Sequence, residues 1–275
     1  MTKTRVKVLM HYLKRKGNTS LNEIVNFFFA PSYETIAKKF IQRIDQHDKY
    51  DKVYFEGISE PMFYPKGIKR HSLFLVTVEC FNKKNWHYYE IPQTSVSPGD
   101  AVIDCGAAEG LFSFKIYRKC KQVYLIEPLS KFVGTLNKTF EKAGNVEILP
   151  IAISDKEYST KISDNDTSSA LSDTEEGEIV SVTTLDKIFF ERNTPIHYLK
   201  MDLEGHDYKA LLGAEHLIKK YMPKIAVTTY HDINHASQIA NFLKSIVPEY
   251  NILCKGIYQE TGSPVMLHAW IDKEA

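Results

Sequence analysis

The sequence predicts an α/β fold: a seven-stranded, mostly parallel sheet with an antiparallel last strand, preceded by an N-terminal α/β attachment. Three observations carry that expectation. Val102 to Gly110 reads as a buried strand feeding a glycine-bearing turn and then a helix. From Ser97 onward, short apolar runs alternate with longer helical segments, the pattern of βαβ units. The last two strand-like runs are joined only by Gln259 to Pro264, too short for a helical crossover, so they must be antiparallel to each other.

Taken in order, Ser20 and Glu23 have capping-box spacing and start a helix from Leu21 to Ala30, which Pro31 stops. Ser32 caps a second helix whose apolar face holds Ile36, Phe40, Ile41 and Ile44. Gly57 to Arg70, with two prolines and two glycines, reads as an irregular loop. Ser72 to Cys80 is β-branched and reads as a strand, with Trp86 to Ile91 as its hairpin partner. Residues 1–95 are thus expected to form a helical and hairpin region acting as a substrate cap, and residues 96–275 a cofactor-binding domain. Its strands are expected at Ala101 to Asp104, Gln122 to Ile126, Val146 to Ile153, His197 to Met201, Lys224 to Thr229, Asn251 to Tyr258 and Val265 to Ile271.

Composition excludes several classes. With 275 residues, 43% hydrophobic and 25% charged, the chain has the make-up of a globular protein rather than a fibrous one. No apolar run approaches membrane-spanning length, and lysines and arginines interrupt the first sixteen residues before a signal-peptide core could form. Cys80, Cys105, Cys120 and Cys254 are widely spaced, which argues against a zinc ribbon or disulfide framework and makes a reducing cytoplasm the expected compartment. The net charge of +1 conceals two opposed segments. Residues 1–52 carry eleven basic and five acidic side chains, and Ser154 to Glu178 carries eight acids against two lysines. The second segment reads as a polar excursion or a flap over the site, with Ser168 and Ser169 placed to reach a ligand.

The turn after the first core strand holds Asp104, Gly106, Ala107 and Gly110. A dinucleotide fingerprint wants glycine where Asp104 stands, because a carboxylate repels a pyrophosphate. A cationic cofactor without phosphate tolerates it, and S-adenosylmethionine (SAM) is one. Glu127 ends the second strand ahead of Pro128, where an acid accepts hydrogen bonds from ribose hydroxyls. Ser154 and Asp155 end the third, where they can receive an adenine amino group. The densest cluster is Lys200, Asp202, Glu204 and His206 at the end of the fourth strand, with His231 after the fifth. Methyl transfer to an alcohol needs a base for the departing proton, and histidine suits neutral pH. His231 and Asp202 are therefore the leading candidates, with Glu204 and His206 next and Lys200 beside them. A divalent cation held by Asp202, Glu204 and a histidine is the less favoured alternative.

Val102 to Gly110, Leu125 to Pro128, Ala152 to Asp155, Thr184-Leu185-Asp186 and, above all, Leu199 to Gly205 with Leu211 to Ala214 resemble the FkbM family of SAM-dependent methyltransferases, over about Pro98 to Ile271. The resemblance implies a Rossmann-like class I methyltransferase fold and O-methylation of a hydroxyl on a saccharide or natural-product-like small molecule. It also implies that Asp104, Gly106, Gly110 and Glu127 contact the cofactor while Asp202 and Glu204 face the active site. The chain departs from the family where Cys105 and Ala107-Ala108-Glu109 replace the more usual Asn-rich turn; Tyr230-His231-Asp232 is not a pattern with an assigned family role, and the first ninety residues have no clear match. The alternatives are a nicotinamide-dependent oxidoreductase, disfavoured by Asp104; a nucleic-acid methyltransferase using the basic N-terminal region, disfavoured because no N/D-P-P-Y/F stretch is present; and a catalytically silent adaptor.

Overall fold

The computed structural model describes residues 3–14, 19–162, 171–172 and 177–272. Helices α1 (Lys3–Lys14) and α2 (Leu21–Phe29) come first. The Ser20–Glu23 capping box is present with both of its reciprocal bonds. Ser32 caps α3 (Tyr33–Ala37), but this helix is a single turn. Ile41 and Ile44, expected on its apolar face, belong instead to strand β1 (Ile41–Gln46). That strand pairs antiparallel with β2 (Tyr50–Phe55), and β2 with β3 (Met62–Pro65), so the expected loop from Gly57 contains a strand. The expected strand at Ser72 to Cys80 is a helix, α4 (Arg70–Phe81). Its β-branched run misleads because Leu73, Thr77 and Cys80, at helical intervals, are the residues that become buried. No strand faces it from Trp86 to Ile91.

The larger sheet is built from β4 (Ala101–Cys105), β5 (Gln122–Ile126) and β6 (Val146–Leu149), with helices α5 (Leu111–Ile116) and α6 (Ser130–Thr139) between them. The chain then leaves this sheet. Ala152–Ile153 (β7), Tyr158–Ile162 (β8), Leu171–Ser172 (β9) and Glu178–Thr183 (β10) form a separate four-stranded sheet, so the polar excursion has a fold of its own and the expected third strand is split in two. The main sheet resumes with β11 (Tyr198–Met201), α7 (Asp207–Leu212), α8 (Glu215–Tyr221), β12 (Lys224–Thr228), α9 (His235–Ile246), β13 (Asn251–Lys255) and β14 (Met266–Trp270). The spatial order is β13-β14-β12-β11-β4-β5-β6. The final strand is antiparallel to both of its neighbours, inserted between β12 and β13.

Every residue of β4 and β11 is buried, as expected of strands covered on both faces. Alternation sorts their side chains. Ile103, Cys105, Leu199 and Met201 join the core on one side of the sheet, and Val102 and Tyr198 the core on the other. This second core also contains Val53, Phe55, Met62, Tyr64 and Leu73. The N-terminal sheet and α4 therefore share a hydrophobic core with the main sheet, and at about 25 cal/mol per Å² of apolar surface this burial fixes α4 beside the carboxyl ends of the strands.

Candidate active site

The carboxyl ends of β4, β5, β11 and β12 open on a cavity of about 470 Å³. It lies where the strand order reverses between β4 and β11, the place in open α/β sheets where ligands bind. The turn after β4, the end of β5 and the loops after β11 and β12 form three walls, and α4 with the segment after it forms the fourth.

At one end stands Glu127, 4% exposed. Ala108 donates its N–H to Oε2 at 2.8 Å and Leu129 to Oε1 at 2.9 Å. Burial nevertheless outweighs those two bonds and pushes the carboxyl up to about 7. Pro128, Leu129, Phe132, Ile153 and Ile162 make an apolar slot beside it. Burial also raises Glu109, on the same wall, to about 7. Two buried carboxyls next to an apolar slot, with Lys200 as the sole lysine among the described lining residues, suit a ligand that combines a flat ring, hydroxyl donors and a positive charge. SAM has all three.

Asp104 stands behind this wall rather than in it. Strand register sets Lys200 opposite Asp104, and Lys200 Nζ meets Asp104 Oδ1 at 2.9 Å and donates to the Gly106 carbonyl at 2.7 Å. Ser113 Oγ donates to Asp104 Oδ2 at 2.7 Å. Asp104, within β4, is thus the partner of a buried lysine, and it is absent from the residues lining the cavity, where a cofactor contact was expected. Gly106 does line the cavity, but the reason for glycine is internal: φ is +71°, and a Cβ would stand 2.0 Å from the Asp202 carbonyl oxygen. Gly110, also outside the lining, has φ +78° and no room beside Leu136. Ala107 and Pro128 line the cavity. Ser154 is buried away from it, its Oγ donating to Asp155 at 2.9 Å and bonded to His206 Nε2 at 3.0 Å, and Asp155 is likewise outside. Ser168 and Ser169 lie outside the described residues.

The opposite end holds five side chains in alternation, acid and imidazole. His87 Nδ1 lies 3.9 Å from Glu79 and His87 Nε2 3.7 Å from Asp202. His231 Nε2 lies 3.9 Å from Asp202 and His231 Nδ1 3.6 Å from Glu204. None of the four gaps is a hydrogen bond. Both His87 nitrogens and His231 Nε2 are buried with no hydrogen-bond partner among the described residues. Asp202 itself is held by the Tyr89 hydroxyl at 2.8 Å and the Thr228 hydroxyl at 3.1 Å. Burial would raise its carboxyl, but His231, His87 and Lys200 together hold it well below the usual carboxylate range. Burial lowers His231, yet Asp202 and Glu204 more than offset that and leave it raised. Glu204 is pushed up to about 7 by burial and by Asp202. Its backbone is strained at φ +51°, and Asp207 pins the turn by accepting the N–H groups of Leu203 at 2.9 Å and Gly205 at 3.3 Å.

All five expected catalytic residues, Lys200, Asp202, Glu204, His206 and His231, therefore line one cavity. Glu79, His87, Tyr89 and Tyr258 line it as well and were not expected. His87-Tyr88-Tyr89, a histidine among aromatics just before the cofactor domain, was the sequence signal for two of these positions, obscured by reading α4 as a strand. Among the described residues, no group of three or more His, Cys, Asp or Glu side chains is arranged to hold a metal ion, and no helix is long and apolar enough to cross a membrane.

A family model described as the methyltransferase FkbM domain matches residues 104–251. None of the curated proteins matches the chain in sequence. Among solved structures, a methyltransferase FkbM from Methylobacillus flagellatus shares the fold, with 18% identity and a TM-score of 0.50 over 90% of this chain and 60% of its own. The chain thus spans about 60% of the length of that relative. An rRNA methylase from Streptococcus thermophilus aligns with 12% identity and a TM-score of 0.42, covering 65% of this chain and 90% of its own. Trm5b from Pyrococcus abyssi aligns with 13% identity and a TM-score of 0.40, covering 82% and 61%.

Proposed function

The chain belongs to the FkbM family of SAM-dependent methyltransferases, and from that premise we propose that it methylates a hydroxyl of a saccharide or similar polyhydroxylated small molecule. The observation that carries this reading is a single cavity with Glu127 at one end and the Asp202–His231 pair at the other. Glu127 would accept the ribose hydroxyls, with the adenine ring in the slot of Pro128, Leu129, Phe132 and Ile153. When bound, SAM supplies an electrophilic methyl group whose sulfur leaves as a neutral thioether.

This chain's own residues handle the acceptor and its proton. His231 Nε2, buried and without a hydrogen-bond partner among the described residues, takes the proton from the acceptor hydroxyl as its oxygen bonds to the methyl carbon. Asp202, held ionised, stabilises the resulting imidazolium from one side, and Glu204 does so at Nδ1. Tyr89 and Thr228 fix the Asp202 carboxylate so that little reorganisation accompanies the transfer. Glu79, Asp202, Glu204 and the two imidazoles offer several hydroxyl-binding atoms, with Tyr230 and Tyr258 as flat apolar rings 4.9 Å apart beside them. That mixture supports a polyol acceptor.

Titration calorimetry with SAM and S-adenosylhomocysteine tests the cofactor end. Both should bind, and Glu127→Ala should weaken both by roughly ten- to a hundredfold, the cost of lost charge-assisted bonds. Methyl transfer to a panel of monosaccharides and glycosides, followed by identification of the methylated atom, tests the acceptor end. Absence of binding to either cofactor form sinks the reading, and methylation at nitrogen or carbon rather than oxygen sinks the acceptor half alone.

A further inference from the structure

We propose that the outward faces of α1 and α2 form a docking surface for an anionic lipid membrane. Val6, Met10 and Leu13 lie along one side of α1, and Leu21, Val25 and Phe29 along one side of α2, at helical spacing. All six are exposed, Phe29 by 77% and Leu13 by 67%. The opposite sides of the same helices are anchored. Val8 and Ile24 are buried against Trp86 and Ile257, Phe27 stacks on Trp86 at 4.6 Å, and the Arg5 guanidinium donates to the Ala30 carbonyl. The helix pair is therefore fixed to the body of the protein while displaying two apolar stripes to solvent, more than scattered surface residues account for.

Charge selects the occupant. Lys3, Lys7 and Lys14 are exposed on α1, and α1 contains no acid. The first thirty residues carry six lysines and arginines against Glu23. An apolar stripe edged by lysines is the composition of a helix lying in a membrane interface, where each basic group is further drawn by anionic headgroups. A second copy of this chain would bring two such basic segments together. A nucleic acid would gain little from six exposed aliphatic and aromatic side chains with no basic residues between them on α2.

The position of the surface gives it a use. Trp86, on which α2 rests, immediately precedes His87 in the cavity wall. His11 of α1 fills the space beside Gly262, and Lys7 pairs with Glu260 at 2.6 Å, both in the loop that follows Tyr258, another wall residue. Docking through α1 and α2 thus holds the acceptor end of the cavity next to the lipid surface.

Co-sedimentation of the full chain with vesicles tests this. Phosphatidylcholine vesicles containing about one-third phosphatidylglycerol should bind it roughly tenfold more tightly than phosphatidylcholine alone, and added salt should reduce the difference. The pair Leu13→Ser with Phe29→Ser should weaken binding to the anionic vesicles about tenfold, and Lys3→Glu with Lys14→Glu should remove the preference for them. Both pairs change exposed side chains, so their S-adenosylhomocysteine affinity and melting temperature should match the parent protein. No binding to anionic vesicles, or binding that neither pair alters, overturns the proposal. So does a dimer in size-exclusion chromatography that the apolar pair dissociates, or tighter binding to single-stranded RNA than to the vesicles.

Discussion

Lys200 has two readings, a catalytic amine or a structural cation, and its surroundings favour the second. It is 4% exposed, paired with Asp104 and bonded to the Gly106 carbonyl, so its ammonium is committed to the turn after β4. Lys200→Met should leave Asp104 as an uncompensated buried charge and cost about 3–5 kcal/mol of stability in denaturant titrations, with the Asp104→Asn/Lys200→Met double variant recovering much of it. A catalytic amine would instead lose activity at unchanged stability. For His231 the expected outcome is kinetic. Its raised pKa should put the rising limb of the pH–rate profile above the ordinary histidine value of 6.5. Asp202→Asn removes the main stabiliser of the imidazolium, so the limb should move to lower pH while the rate falls by roughly 10²–10⁴-fold. A profile that does not move removes His231 from the role of base. These roles were only half legible in the sequence. The polar cluster after Met201 and the histidine after β12 stood out as residue types at strand ends. The pairing of Asp104 with Lys200 did not, because it depends on which two strands become neighbours and in what register.

At the scale of elements, the strands of the main sheet could be read because buried parallel strands are short apolar runs bounded by turn residues, and such runs depend little on distant partners. The N-terminal elements could not. Ser32 to Ile44 has helical spacing, yet the pairing of β1 with β2 captures Ile41 and Ile44, and the β-branched run in α4 is overruled by the face it buries. The turn after β4 illustrates a constraint hidden from the sequence. Gly106 was expected to admit a cofactor, whereas the close neighbour is the backbone of the loop after β11. Gly106→Ala should therefore cost about 2–4 kcal/mol in thermal or chemical unfolding even without cofactor, from left-handed strain and a backbone clash together. A variant as stable as the parent, defective only in SAM binding, would show that the glycine serves the ligand instead.

For the whole molecule, several carboxyls are buried without full compensation. Glu109 and Glu127 have pKa values of about 7 against 4.5 in an unfolded chain. A carboxyl raised on folding contributes stability that is complete below 4.5 and is lost as pH rises through about 7, up to ~3 kcal/mol for one such group. The melting temperature of the ligand-free protein should thus fall between these limits, and saturating SAM, whose cation and hydroxyls favour the ionised forms, should reduce the fall. Calorimetry in buffers of different ionisation enthalpy should then show proton release on SAM binding; proton uptake would contradict the assignment of these groups to the cofactor. The wall that α4 and His87 contribute has a broader consequence. The family match begins at residue 104, whereas Ser72, Leu75, Val76, Glu79, His87 and Tyr89 of the cavity wall lie upstream of it. On the proposed function, mutation at upstream wall positions that do not touch Asp202, such as Leu75 and Val76, retunes which molecule is methylated while leaving Asp202, Glu204 and His231 in place, so the fold keeps its reaction while remaining free to acquire new substrates.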